Sequence, residues 1–445
     1  SEATLGRGKG DRDNIAPRLG LNYSVDERTT LRGGYGLFYD KIVYSVVSDA
    51  LDQNAVNPAY KDQIRSLVAQ GLLPSDTDVD AVTFEGTRTA SLPQEVGFLE
   101  GPTPSDLSRE QIQSSFSDER RILNPNGYEN PQTHQFSLGV QRQFGNDLLA
   151  YVDLIHTRSY NLFRLRDLNA PDPYDITAEE LAAGRAEDLV RSQFEADKTR
   201  PVDLFERTAD GSIMFEGGNP VYRDGVARQI VMTETAGEAR YWAANVNLVK
   251  DRANDGYSYR FSYTLSRLRN NTDDINFRAE TANDYDDEWG PSVNDRTHVI
   301  SAVGSVYPTD GLRLTVTNLT QSGQPVNRVP DVSVFGTRDL NGDGRSYGAV
   351  YVGNSDRWPG ADRNSDRLPW STRFDLSLQY ALPLSGGHVV ARADVFNVLN
   401  TKNLSGFANS ATQSNQIQAG QPQSDIMEKN AGRPRQFQFG VRYEF

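Results

Sequence analysis

From residue 256 to residue 267 apolar and polar side chains alternate without a break. Tyr257, Tyr259, Phe261, Tyr263 and Leu265 share one face, and Ser258, Arg260, Ser262, Thr264 and Ser266 share the other. Successive side chains of a strand point to opposite sides, so this spacing predicts a strand with one greasy and one wet face. The rhythm recurs at Leu19, Leu21 and Tyr23; at Phe136, Leu138 and Val140; at Trp242, Ala244, Val246 and Leu248; at Phe374, Leu376, Leu378, Tyr380 and Leu382; and at Val389, Ala391, Ala393 and Val395. The facing positions hold Arg18, Asn22, Gln135, Gln141, Asn245, Asn247, Arg373, Asp375, Arg392 and Asp394. About eleven strands are predicted, near residues 14–25, 29–39, 133–144, 147–158, 240–250, 256–267, 293–307, 311–322, 371–382, 387–397 and 435–445.

The joins between these strands alternate in length. Short ones fall at Asp26 to Arg28, Gly145 to Asn146, Asp251 to Asp255, Pro308 to Asp310 and Pro383 to Gly386, and long ones near 40–132, 159–239, 268–292, 323–370 and 398–434. Strands of ten or more residues can cross a bilayer at a tilt, and short turns on one side with long loops on the other are the plan of a transmembrane barrel. Tyr23, Phe144, Tyr257, Tyr307 and Tyr380 lie beside the short turns, where they would form an interfacial girdle. The competing reading, a soluble antiparallel sandwich, fits poorly because such folds seldom carry loops of about 80 residues. The fold class expected is therefore all-β, an antiparallel transmembrane β-barrel portion with long extracellular loops. Two helices are predicted in those loops. One opens with Asn57 as N-cap and Pro58 as first residue and ends near Gly71; the other opens on the capping box of Thr177 and Glu180 and runs toward Phe194.

The last strand repeats the pattern: Phe437, Phe439, Val441, Tyr443 and Phe445 alternate with Gln438, Gly440, Arg442 and Glu444. This resembles the assembly signal read by the barrel assembly machinery of the bacterial outer membrane. Placing Phe445 at the periplasmic end and tracing back makes the first strand run downward too, so the number of staves is odd. A single-chain barrel has an even number, so further staves are expected from outside residues 1–445.

Several stretches resemble the C-terminal part of Oar-like TonB-dependent receptors. They are Ala16-Pro17-Arg18-Leu19-Gly20 followed by Leu31 to Asp40; Asn130-Pro131-Gln132-Thr133 running into Phe136 to Arg142; Arg166-Asp167-Leu168-Asn169-Ala170-Pro171; and Arg392 to Asn400. The resemblance implies a barrel of about 22 strands enclosing an N-terminal plug and energised through a TonB box. Residues 1–445 would then form the C-terminal part of the barrel, about 11 of those strands, with the plug and N-terminal domain absent from this chain. The function implied is capture of a ligand by the extracellular loops for energised transport across the outer membrane. A structural or adhesive surface barrel without active transport is the alternative. A soluble carbohydrate-binding or hydrolytic β-protein is a third class, which would need paired carboxylates in a cleft. The partners implied are outer-membrane lipid and lipopolysaccharide, the TonB complex through the missing N-terminal part, the barrel assembly machinery and a ligand the sequence does not name.

Composition narrows these classes. Hydrophobic residues make up 37% and aromatics 10%, with Tyr and Phe far above Met, which favours strands over helices. The net charge of -14 argues against nucleic acid as a partner, and no apolar run reaches the length of a membrane helix. Without cysteine there is neither a disulfide nor a thiolate metal site. No G-x-S-x-G, H-E-x-x-H or phosphate loop is present, so no enzyme is expected.

Asp339, Asn341 and Asp343 place side-chain oxygens at alternate positions, as the first half of a calcium loop does. Calcium is the one cofactor that the sequence suggests, with Asp356, Asp362 or Asp366 available to complete the shell. Val350 stands where an EF-hand has its bidentate Glu, and a metal-free polar turn is the competing reading. Residues 268–295 carry eight acids against Arg269 and Arg278, which reads as a solvated acidic loop. Arg18, Arg32, Arg260, Arg373, Arg392 and Arg442 are expected on the lumen side, paired with Asp153, Asp375, Asp394 and Glu444.

Overall fold

The alternating segments pair with one another in chain order. The computed structural model describes residues 11, 13–85, 119–344, 356–384, 386–403, 416–418 and 432–445, and its main sheet has an eleven-strand antiparallel path. The strands are β1 (Arg18–Asp26), β2 (Thr29–Tyr39), β3 (Gln132–Phe144), β4 (Leu148–Asp167), β5 (Gln229–Lys250), β6 (Tyr257–Asn270), β7 (His298–Thr309), β8 (Leu312–Gln321), β9 (Ser371–Leu384), β10 (Gly387–Phe396) and β11 (Gln436–Glu444). Each pairs with its neighbours in sequence, and among the described residues β1 and β11 pair on one side only. Two short pieces lie off this path: Glu119–Ile122, parallel to β5, and Gly290–Pro291 on β6.

The register places like beside like across the whole sheet. Leu31, Val140, Val152, Val246, Tyr263 and Ile300 stand opposite one another in turn from β2 to β7. Leu314, Leu378, Ala393 and Phe439 continue the apolar face from β8 to β11. A one-residue slip in any pairing would turn a whole strand over, so one greasy face locks the register. That face is bare: Leu154, Leu378, Leu382 and Phe439 are 51%, 45%, 46% and 78% exposed. So wide an apolar surface needs lipid against it rather than water. In the aromatic row by the short turns, Tyr23, Phe144, Tyr257 and Tyr380 are all exposed. Tyr307 departs from the expected girdle. Val306 takes the position opposite Tyr257 and Leu314, a register shift follows it, and the Tyr307 ring lies under Arg252 and Arg313.

β4 and β5 run far past the predicted ends, to 20 and 22 residues. The alternation stops at Ser159 because a bulge there, with Asn161 left-handed at φ 57°, shifts the pairing to Leu162 opposite Gly237. Beyond the bulge the hairpin belongs to a second layer. There Phe163, Leu165, Ile230, Val231 and Met232 are buried, and most of the protein's buried apolar side chains lie here and in the long connectors.

Those connectors carry the helices α1 (Tyr44–Asp52), α2 (Pro58–Ala69), α3 (Val79–Val82), α4 (Ala178–Ala183), α5 (Gln193–Asp197) and α6 (Val332–Phe335). In α2 the Asn57 carboxamide oxygen accepts from the Tyr60 amide at 2.8 Å. Tyr60, Ile64 and Leu67, at helical spacing, enter a core with Leu168, Val202 and Ile230. The Thr177–Glu180 capping box forms as expected, but the helix it opens stops at Gly184. A 3-10 turn (Ala186–Leu189) and the separate α5 follow. Gln63 closes the core with a reciprocal clamp, donating to the Ala227 carbonyl at 3.0 Å and accepting from its amide at 2.7 Å.

Candidate functional site

Three surfaces carry the chemistry: the polar face of the sheet, the cap built from the long connectors, and the terminal strand.

On the polar face Asn22, Arg32, Gly139, Asp153, Asn245 and Thr264 stand opposite one another from β1 to β6. Arg32 on β2 crosses β3 to reach Asp153 on β4, Nη2 donating to Oδ1 at 2.8 Å. The crossing needs glycine at 139, since a Cβ there would overlap the Asp153 carboxylate. Four of the six expected arginines pair: Arg373 with Asp375, Arg392 with Asp394, Arg442 with Glu444, and Arg32 with Asp153. Arg18 instead lies over the Phe38 ring at 4.7 Å, and among the described residues Arg260 has no carboxylate within salt-bridge distance. Arg313, Asp375, Gln379, Arg392 and Asp394 line a polar hollow of about 340 Å³ on this face.

The cap departs from expectation where it is most charged. The segment between β6 and β7 is not a solvated acidic loop, because several of its acids are buried against arginines of the segment between β8 and β9. Arg363 is 1% exposed. Its Nη1 donates to the carbonyls of Asn270 and Glu288 at 2.6 and 2.7 Å, and its Nη2 donates to Asn270 Oδ1 at 2.8 Å and to Asp273. Arg357 pairs with Glu280 at 2.6 Å and Glu288 at 2.9 Å, and Arg367 pairs with the buried Asp295 at 2.5 Å. Arginine suits such sites because its planar fork serves several acceptors at once. Even so, burial pushes the Glu280 carboxyl up to about 7. Beside this network lies a cavity of about 260 Å³, with Tyr174, Asp175, Glu280, Asp287, Trp358 and Asp362 in its walls.

The Asp339–Gly344 turn joins the same network. Asp339 Oδ2 accepts from the Gly344 amide at 3.0 Å, and Asn341 Oδ1 accepts from the Asp343 amide at 2.8 Å. Asp356 approaches this turn, accepting from the amides of Leu340 and Asn341 and from the Asn341 carboxamide. Asp366 instead pairs with Arg328. Burial and the neighbouring acids hold the Asp343 and Asp356 carboxyls well above the usual carboxylate range. Asp339 Oδ1 is enclosed without a hydrogen-bond partner. Among the described residues no group of three or more His, Asp or Glu side chains is arranged to hold a metal ion.

The terminal strand β11 is fully registered on β10, with Val395, Ala393, Ala391 and Val389 opposite Phe437, Phe439, Val441 and Tyr443. Phe437, Phe439, Val441, Tyr443 and Phe445 are at least half exposed and lie on the apolar side.

A family of known proteins described as an outer membrane beta barrel domain matches residues 4–309. No curated protein matches the chain. Among solved structures, the chain is similar to the outer membrane transporter YddB from Escherichia coli, at 10% identity and a TM-score of 0.46, covering 96% of this chain and 40% of that one. It is similar to the siderophore receptor PirA from Acinetobacter baumannii, at 10% identity and a TM-score of 0.45, covering 97% and 41%. A mutant of the ferric enterobactin receptor PfeA from Pseudomonas aeruginosa, in complex with enterobactin, gives 13% identity and a TM-score of 0.47, covering 96% and 40%. The chain spans about two fifths of the length of these proteins. The long apolar face, the meander of staves, the alternation of short and long joins and the family match over residues 4–309 agree: this chain belongs to the outer membrane beta barrel domain family and lies in the bacterial outer membrane.

Proposed function

We propose that residues 1–445 form the C-terminal part of the barrel of a TonB-dependent receptor whose extracellular cap captures a ligand for energised uptake. The observation that carries this reading is the cap itself. Its connectors are folded around their own hydrophobic cores and a buried ion network, and they present an acid- and aromatic-walled cavity above a bare polar barrel face. A barrel wall alone needs only short joins; a packed, chemically lined cap suits recognition. The Oar-like motifs at Ala16 to Gly20, Asn130 to Thr133 and Arg392 to Asn400 support the same reading. On it, the plug and TonB box belong to a part of the protein outside these residues. Staves from that part pair with β1 and β11, and the plug covers the polar face. Phe437, Phe439, Val441, Tyr443 and Phe445 serve the barrel assembly machinery. The role is binding and transport rather than catalysis.

The test compares solute depletion from the medium by cells with and without the intact protein, each with and without TonB. The reading expects at least one solute whose uptake needs both. Surface binding that is unchanged by loss of TonB and followed by no uptake would overturn it in favour of an adhesive barrel.

A further inference from the structure

The apolar face ends upward in a row of cations. Leu148, Lys250 and Tyr259 stand opposite one another at the short-turn end of β4, β5 and β6, and ten residues above them Arg158, Arg240 and Arg269 again stand opposite one another. At a rise of about 3.4 Å per residue and a tilt of about 40°, ten residues climb roughly 26 Å, the height of the apolar band of such barrels. These arginines stand an even number of residues from Leu154, Trp242 and Leu265 on the same strands, so they occupy the lipid side at the boundary of the outer leaflet. Arg267, exposed and opposite Trp242, adds a fourth cation just below.

The cluster is under-neutralised and pre-shaped. Glu238 Oε2 stands 3.6 Å from Arg158 and 3.8 Å from Arg240, beyond hydrogen-bond reach, and Asp362 acts on Arg269 from the cap. Among the described residues two acids, Glu238 and Asp362, thus face four guanidinium groups. The Trp289 ring receives Arg240 at 5.0 Å and Arg269 at 5.8 Å, and the Tyr160 ring receives Arg158 at 4.7 Å. Such stacking holds the guanidinium planes. The Nε atoms of Arg158 and Arg269 are enclosed and Arg269 Nη2 donates to the Trp289 carbonyl at 2.7 Å, while the Arg158 and Arg240 side chains stay 40% and 47% exposed. Beneath them, Trp242 is 58% exposed and stacked on His156 at 3.7 Å, an aromatic ledge at the depth where a lipid headgroup meets its acyl chains.

We propose that this patch binds the phosphate groups of a phosphorylated glycolipid of the outer leaflet, with Arg158, Arg240, Arg267 and Arg269 as the phosphate ligands and Trp242 against the sugar–acyl junction. Fork-shaped cations match phosphate oxygens in pairs. A lipid anion reaches this height by residing in the membrane, whatever solute the barrel carries, so the inference stands apart from the transport reading.

The intact protein is purified in mild detergent and challenged with bisphosphorylated lipid A, with lipid A stripped of phosphate, and with inorganic phosphate. Retained lipid is counted by native mass spectrometry. Bisphosphorylated lipid A is expected to remain bound, and Arg240→Gln combined with Arg267→Gln should weaken it by roughly thirtyfold, with Lys at both positions recovering part of the loss. Equal retention by the double variant, or equal retention of phosphate-free lipid A, overturns the proposal. So does displacement by inorganic phosphate at matching concentration, which would mark a free-anion site. Should the variants fail to fold, raising salt from about 0.1 M to about 1 M must release the bisphosphorylated lipid from the wild-type protein but not the phosphate-free one. Absence of that difference overturns it equally.

Discussion

Arg363 is the most informative single perturbation of the cap. It is 1% exposed, and its guanidinium serves Asn270, Glu288 and Asp273 while lying 4.8 Å from the Phe277 ring. Arg363→Met keeps the contact with Phe277 but leaves two buried carbonyls without their donor and Asp273 without its cation. Removing one partner of a buried pair costs about 3–5 kcal/mol. Asp273 keeps other donors, Asn270 Nδ2 and Ser292 Oγ, each at 2.8 Å, and Asn364 Nδ2 at 3.3 Å. The lower end of that range therefore applies, and about 3 kcal/mol corresponds to local opening more frequent by roughly a hundredfold. Hydrogen exchange read by mass spectrometry would show it: amides of residues 271–297 should lose about two powers of ten in protection, while those of β3 stay unchanged. Arg363→Lys should recover little, because one ammonium cannot span acceptors set for a fork. Unchanged protection in the segment, or an equal loss in β3, would refute the view that the cap is held by this cation and opens independently of the wall.

Cysteine labelling with a lipid-restricted probe should succeed at 259, 261 and 263 and fail at 258, 260 and 262; Phe261→Arg should cost about 2–4 kcal/mol if it sits near the midplane. Gly139→Ala displaces Asp153 from Arg32, a pair whose side chains are 36% and 29% exposed, so the loss in denaturant titration should be no more than about 1 kcal/mol. It should shrink in an Asp153→Ala background, and an undiminished loss there would show that the clash lies elsewhere. Burial raises the Glu280 carboxyl from 4.5 to about 7, so its stabilising contribution is complete below about 4.5 and lost as pH rises through about 7; cap protection near residue 280 should fall across that window in wild type and stay flat in Glu280→Gln. For the calcium expectation, calorimetry should detect one ion fewer in Asp339→Ala and in Asp343→Ala, and no heat at millimolar calcium would remove it.

The staves were legible because lipid on one side and polar groups on the other impose period two, and a strand such as β6 writes that period without interruption. The lumen pairs were legible for a related reason, since Arg392 and Asp394 sit two residues apart on one strand and share its face. What escaped the sequence was whatever joins distant segments. The acids near residue 280 look solvated until Arg357 and Arg363, roughly 70 to 90 residues on, are folded against them. The upper half of the β4–β5 hairpin escaped because one bulge at Asn161 breaks the alternation while the hydrogen-bonded ladder continues. Tyr307 went wrong for a similar reason, a register shift beside a turn. The basic row was hidden too: Arg158, Arg240 and Arg269 are unremarkable along the chain and become neighbours only through register.

The sequential meander also bears on how the protein is made. Each stave docks on the one synthesised next to it, so every short-turn hairpin of the wall can close with little loop-closure entropy. The cap cannot, because its cores join separate connectors: Tyr60 meets Ile230 only once the second long connector is in place, and Ile176 meets Phe335 only once the fourth is. Assembly in two kinetic phases follows, with a fast wall and a slower cap whose apolar residues stay open until the last of these segments arrives. During that interval Ile176, Leu181 and Leu189 are the groups a surface chaperone or protease would meet.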